Sequence, residues 1–259
     1  MTKDQGGRQI SLPPFFTLHA FDSIGSTNEE ARVLADKGAV EGQLVWARSQ
    51  NQGVGRRGRG WSSPEGNLYC SLMLRPNCSV QEGAKLSFLI ALALYRSAKE
   101  VLPNDADLSL KWPNDLLINR HKVAGILLES KSASDGNLEW LVVGTGVNIA
   151  FFPEHTDGLP ATSFQKQGSD CSIEQVLALY ADHFLALYRV WQKEGFDPIR
   201  REWLQYASGI NEKITVRLPN ETFNGTFIDL DTAGALVLQL EDGSQRMVTA
   251  GEVFFLPND

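Results

Sequence analysis

Residues 108–149 read LSLKWPNDLLINRHKVAGILLESKSASDGNLEWLVVGTGVNI, and four strand-like segments lie within them, at 108–111, 115–119, 122–130 and 138–149. The turns between them are short: Trp112-Pro113-Asn114, Asn119-Arg120-His121 and Asp135-Gly136. Consecutive strands joined so tightly have no room for crossover helices, so the stretch predicts an antiparallel meander.

Upstream of it, 15–21 and 43–48 read as strands, with a helix between them. That helix starts at Ser26-Thr27-Asn28-Glu29-Glu30 in capping-box style, Thr27 paired with Glu30, and stops at Gly38. A further strand is expected at 67–75, and 86–101 is apolar nearly all round, as in a buried helix. Downstream, 151–171 is irregular, 173–194 is a long amphipathic helix closed by Gly195, and Asp197-Pro198 opens a shorter one. After Gly209 the texture changes to short strands with turns at Pro219-Asn220, Ala233-Gly234 and Asp242-Gly243. The expected fold is therefore α+β: a loose tail at 1–14, a main domain at 15–209, and a small β-barrel at 210–259.

The chain has 259 residues, 42% of them hydrophobic, with 24 Lys+Arg against 31 Asp+Glu and a net charge of −7. That apolar fraction suits a packed core, and the acidic balance argues against a general DNA or membrane-surface binder. Cys70, Cys78 and Cys171 form no CxxC pair, and His19, His121, His155 and His183 show no zinc-site spacing, so no metal centre is expected. Free cysteines, a polar start without a signal core, and an apolar run (86–95) half the length of a membrane span of roughly 20 residues predict a cytoplasmic protein.

Three motifs carry chemistry. The first, residues 50–61, is QNQGVGRRGRGW. It contains G-x-G-x-x-G at Gly53, Gly55 and Gly58, but loop residues follow where a dinucleotide fold needs a helix, so that reading fails on context. What remains is a glycine loop with Arg56, Arg57 and Arg59, fit for a polyanion such as a nucleotide and otherwise a solvated basic loop. The second motif is Lys111-Trp112-Pro113-Asn114-Asp115, with Lys122 opening the next strand and Gly125 allowing close approach. Its tight turn is expected to expose Lys111 and Asp115; an ordinary charged hairpin would look the same. The third, Gly144-Thr145-Gly146-Val147-Asn148, marks either a bulge or room for a ligand. No Gly-x-Ser-x-Gly elbow is present.

Together, Ser26-Thr27-Asn28, the loop ending at Trp61, the 111–115 motif, Lys122-x-x-Gly125 and Gly144-x-Gly146-x-Asn148 resemble the biotin protein ligases in order and spacing across about 15–255. The resemblance implies a catalytic domain like those of class II aminoacyl-tRNA synthetases, with a mostly antiparallel mixed sheet and flanking helices, followed by an SH3-like barrel. With only about 14 residues ahead of the ligase-like region, it implies the form without a DNA-binding winged helix, hence no DNA partner. The implied reaction joins ATP and biotin, with Mg²⁺, into biotinyl-5′-adenylate. A lysine of a biotin carboxyl carrier domain, of acetyl-CoA carboxylase or a related carboxylase, then takes the biotin. The resemblance admits a homodimer without requiring one.

By the same resemblance Ser26, Thr27, Asn28 and Gln50 hold the biotin head group, and backbone at Gly53, Val54, Gly55 and Gly125 shapes the rest of that pocket. Arg56, Arg57 and Lys122 serve the biotin carboxylate and α-phosphate, as the catalytic cations. Arg59 and Lys111 serve the outer phosphates, Trp61 stacks on adenine, Asn148 reads the adenine edge, and Asn114 belongs to the ATP side. Asp115, also catalytic, accepts or orients the proton of the incoming lysine. The loop and residues 151–164 are expected to order over the adenylate and exclude water.

Two departures from the family pattern stand out. Val54 occupies an arginine position of the loop, which predicts weaker retention of the adenylate, and a lysine expected near Thr232 is absent. The alternatives are a lipoate protein ligase, whose loop usually carries consecutive glycines after Arg-Arg, and a non-catalytic biotin or nucleotide sensor or RNA binder, which needs no lysine at a phosphoryl centre.

Overall fold

A computed structural model of the chain describes residues 2–3, 9–156 and 158–255. In chain order the elements are β1 (Thr2–Lys3), β2 (Gln9–Ile10), β3 (Thr17–Ile24), α1 (Thr27–Asp36), β4 (Gln43–Gln50), β5 (Leu68–Leu74), α2 (Val80–Ala84) and α3 (Leu86–Val101). The expected meander follows as β6 (Leu108–Lys111), β7 (Asp115–Ile118), β8 (His121–Ser132) and β9 (Leu138–Val147). Then come α4 (Ile173–Glu194), α5 (Asp197–Gln205), and the terminal strands β10 (Lys213–Arg217), β11 (Thr222–Leu230), β12 (Leu236–Gln239), β13 (Gln245–Val248) and β14 (Glu252–Phe255).

One seven-stranded sheet runs β3-β4-β5-β9-β8-β7-β6. Its β3–β4 pair is parallel, joined through α1, and the other pairings are antiparallel. Strand alternation sorts side chains to the two faces. Val45, Met73 and Val142 meet Ala31 and Ala35 of α1, while Leu44, Trp46, Leu72 and Val143 join the larger core beneath α3 and α4. Helix α3 is enclosed by sheet, α4 and α5, which is why its sequence lacks a polar face: ten of its residues are buried.

Two expectations need correction. Within the stretch read as a loose tail, β1 pairs with β2, and Ile10 is buried because its apolar side chain reaches the main core; Met1 and residues 4–8 lie outside the described residues. Helix α1 is capped at Ser26 with no side-chain cap bond, because the Thr27 side chain is turned toward Gln50 and Ser71 instead.

The terminal strands form a five-stranded antiparallel sheet, β13-β12-β11-β10-β14, the expected small barrel-like module. It is bolted to the main body. Trp112 Nε1 donates to the Gly234 carbonyl at 3.1 Å, and Arg200 reaches the Leu230 carbonyl at 2.6 Å and both Asp229 oxygens. Gly234 has φ +83° and lies so near Phe88 that a Cβ would approach its ring to 2.7 Å, so glycine is required twice over.

Candidate active site

A cleft of about 560 Å³ opens where the start of α1, the end of β4, the glycine-bearing stretches of β8 and β9, and β14 of the terminal module converge. Ser26, Thr27, Asn28, Gln50, Val54, Gly55, Arg56, Arg59, Trp61, Lys111, Asn114, Asp115, Lys122, Gly125 and Asn148 all line it.

At one end sits a ladder of charge. Strand β7 pairs with β8 through a bulge between Leu116 and Leu117, a device that re-aims side chains at a sheet edge. Lys122 Nζ lies 2.6 Å from Asp115 Oδ1, and Lys111 Nζ lies 3.7 Å from Oδ2. Lys111 and Asp115 are buried, against the expectation that the turn would expose them, because each supplies the counter-charge that lets the other leave water. Burial resists ionisation of Asp115, but Lys122, Lys111 and Arg56 overcome it and hold its carboxyl below the ordinary carboxylate range. Burial pulls the Lys111 ammonium below its ordinary value, partly offset by Asp115. Arg56 is lowered the same way, its guanidinium donating to Asn114 Oδ1 at 2.9 Å while Asn114 Nδ2 anchors on the Ile126 carbonyl at 2.6 Å.

The Gly/Arg segment is a closed hairpin. Gly55 N–H bonds the Arg59 carbonyl at 2.7 Å, Trp61 N–H bonds the Gly53 carbonyl at 2.9 Å, and a short 3₁₀ turn spans Arg56–Gly58. Arg59 pairs with Glu252 of β14 at 2.8 Å, and Arg57 approaches the same oxygen at 3.6 Å. Arg57 and Gly53 fall outside the lining. Arg57 turns to Glu252, whereas Gly53 is filled against Trp61 and Ser63, where a Cβ would lie 2.4 and 2.5 Å from oxygens. Trp61 does not stand free as a platform. Its indole packs on two strand glycines, with positions for a Cβ 3.1 Å from the ring at Gly125 and 2.7 Å at Gly146, and Lys122 Nζ lies 5.6 Å from its ring centre.

The other end is polar and uncharged. Gln50 Oε1 accepts from the Thr27 backbone N–H at 2.8 Å, and Gln50 Nε2 donates to Ser63 Oγ at 3.0 Å. Asn28 bonds Ser71 and Glu129. Asn148 sits on the ladder side, its Nδ2 on the Thr162 carbonyl at 3.1 Å. Pro153, His155, Thr156, Gly158, Leu159 and Ala161 form a wall, and its far end is pinned to β8 by Lys122 N–H on the Pro160 carbonyl at 2.8 Å and Thr162 N–H on the Lys122 carbonyl at 2.9 Å.

Sequence reasoning missed Glu252, Ser71 and Glu129. Ser71 did carry a signal: a hydroxyl in the apolar run LYCSLML has to find a buried partner. Glu252 carried none, since its partners lie some 190 residues earlier in the chain.

The cleft thus has clustered cations at one end and a neutral hydrogen-bonding pocket at the other, on a mixed sheet with an appended β-module. Residues 21–148 match the biotin/lipoate A/B protein ligase family, and residues 209–256 match the biotin protein ligase C-terminal domain. The chain is 40% identical to the biotin–[acetyl-CoA-carboxylase] ligase of Paracoccus denitrificans, over 89% of this chain and 97% of that one. Among solved structures it resembles the Aquifex aeolicus biotin protein ligase in complex with biotin and ATP (TM-score 0.77, 25% identity, covering 92% of this chain and 97% of that one). It also resembles the Leishmania major enzyme in complex with biotinyl-5-AMP (TM-score 0.65, 25% identity, covering 92% of this chain and 100% of that one). This chain belongs to the biotin protein ligase family.

Proposed function

We propose that this chain is a biotin protein ligase, which activates biotin with ATP to biotinyl-5′-adenylate and passes the biotinyl group to a lysine of a biotin carboxyl carrier domain. The observation that carries the reading is the Lys111–Asp115–Lys122 ladder, with Lys111 and Asp115 buried, beside the Asn114-clamped Arg56, set at one end of a cleft whose other end is the neutral Thr27–Gln50 pocket. The biotin ring system belongs to the neutral end, and its carboxylate reaches toward Lys122 and Arg56.

A carboxylate is a poor electrophile, and adenylation gives it a good leaving group. Charge gathers on the α-phosphoryl oxygens as the carboxylate attacks, and fixed cations stabilise it without reorganising. Lys122 and Arg56 do this, while Lys111 and Arg59 meet the outer phosphates. Asp115 holds the two lysines; a carboxyl kept below its usual range is too weak a base to strip a proton from an incoming ammonium, so its work is orientation. Trp61 and Asn148 face the nucleotide side.

Mg²⁺ travels with the nucleotide. Among the described residues no three His, Cys, Asp or Glu side chains converge, and the cleft carboxylates Asp115 and Glu252 are each held by protein cations. The ion would supply positive charge that neutralises the phosphates.

No helix among the described residues is long and apolar enough to cross a membrane. The ATP requirement and the free cysteines support a cytoplasmic site of action. Incubating the protein with biotin, MgATP and a purified carrier domain tests the reading by mass. One biotinyl group on one carrier lysine is expected; an unmodified carrier would overturn it.

A further inference from the structure

The neutral end of the cleft is wired to a carboxylate outside it. Glu129 Oε2 on β8 accepts from Asn28 Nδ2 at 2.7 Å, and its other oxygen lies 3.8 Å from Arg32. A carboxylate has no proton to give, so this contact decides which way the Asn28 amide faces: NH₂ toward Glu129, Oδ1 toward Ser71. Gly144 leaves the seat open, since a Cβ there would lie 2.1 Å from Oδ1.

Asn28 Oδ1 can only accept, and Ser71 Oγ is 2.5 Å away, so the one hydroxyl proton of Ser71 goes to Asn28. Ser71 Oγ also lies 2.8 Å from Thr27 Oγ1, a contact in which either hydroxyl is able to donate. With the Ser71 proton committed, Thr27 must supply this one. The 3.1 Å approach of Thr27 Oγ1 to Gln50 Oε1 is then left without a proton, and that acceptor is served by the Thr27 backbone N–H. Thr27 Oγ1 therefore meets the cleft with lone pairs only.

We propose that Glu129 is a positioning residue which, through Asn28 and Ser71, turns the Thr27 hydroxyl into an acceptor, so that this end of the cleft selects a ligand N–H such as those of a cyclic urea. The inference rests on the reading of this end as the biotin head-group pocket. It assigns Glu129 a part in specificity although the residue does not line the cleft.

The test is calorimetric biotin binding to the full chain and to Glu129→Gln, Ser71→Ala, Asn28→Ala and the Glu129→Gln/Asn28→Ala double variant. Glutamine keeps the shape but can present either a donor or an acceptor to Asn28, so the proton order is no longer imposed. Glu129→Gln and Ser71→Ala are each expected to bind biotin about tenfold more weakly, the scale of one hydrogen bond in a buried network. The melting temperature of Glu129→Gln and its KM for ATP at saturating biotin should stay at the wild-type values, and the double variant should bind no more weakly than Asn28→Ala alone. Wild-type affinity in either Glu129→Gln or Ser71→Ala, or losses that multiply in the double variant, would overturn the role of Glu129 while leaving the biotin reading intact. A wild-type chain that does not bind biotin would overturn the head-group assignment and the inference with it.

Discussion

At Lys122 a strand bulge, an aromatic ring and a buried carboxylate meet, so a flexible ammonium is held at one spot before any substrate arrives. Removing it takes away charge aimed at the transition state rather than packing. Lys122→Ala should therefore lower biotin-dependent pyrophosphate exchange by about 100-fold or more while the chain still melts cooperatively. Asp115→Asn acts differently, because it strips the counter-charge from buried Lys111 and should cost on the order of 3 kcal/mol in denaturant unfolding. The pH signs follow from the shifts. Asp115 lies below its ordinary 3.8, so its ion pairs stabilise the fold above that value and the gain is lost as pH falls through the folded one. Lys111 lies below its ordinary 10.5, so the fold gains stability as pH rises from the folded value toward 10.5. Losing Asp115 lowers Lys111 further, and the alkaline limb of the exchange profile should move to lower pH. Val54, half exposed on the cleft, adds no charge to hold an adenylate. Val54→Arg should slow release of the adenylate in a single-turnover chase, and an unchanged release rate would refute that.

At the level of elements, glycines on β8 and β9 work as seats rather than hinges. Gly144 receives the Asn28 amide, and Gly125 and Gly146 receive the Trp61 indole. Gly146→Ala must lift the indole off the sheet, and should raise the KM for ATP about tenfold, a loss of roughly 1.4 kcal/mol, with less effect on stability. Much of this level was legible in the sequence. The meander of 108–149 declared itself through alternating apolar residues and two- or three-residue turns, helix 86–101 through its nearly unbroken apolar run, and helix 173–194 through its periodicity and the Gly195 stop. The Gly/Arg segment was legible in composition but not in shape. Its glycines spelled a mobile loop, whereas the closed hairpin comes from its own backbone bonds, with Arg57 and Arg59 held by Glu252 across the molecule. The burial of Lys111 and Asp115 was hidden for the same reason, since a charge reads as exposed until its partner on the next strand is known.

Across the whole molecule, the terminal module closes one wall of the cleft with 251–254, although the lysine expected near Thr232 is missing. Its attachment runs straight into the chemistry, because the turn between Lys111 and Asp115 contains the Trp112 whose indole is tied to Gly234. Trp112→Phe removes that bond and leaves part of the buried indole's space empty, and should cost about 2 to 3 kcal/mol in stability and raise the KM for ATP more than that for biotin. Side chains from residue 26 to residue 254 thus meet in one cleft, with the neutral pocket and the cationic ladder at opposite ends. The most direct test of that division is ATP–pyrophosphate exchange by the purified chain with MgATP, with biotin or lipoate supplied in turn. Exchange that appears with biotin and not with lipoate is the predicted result. Exchange with lipoate alone, or with neither acid, would contradict the assignment of the cleft to biotin activation.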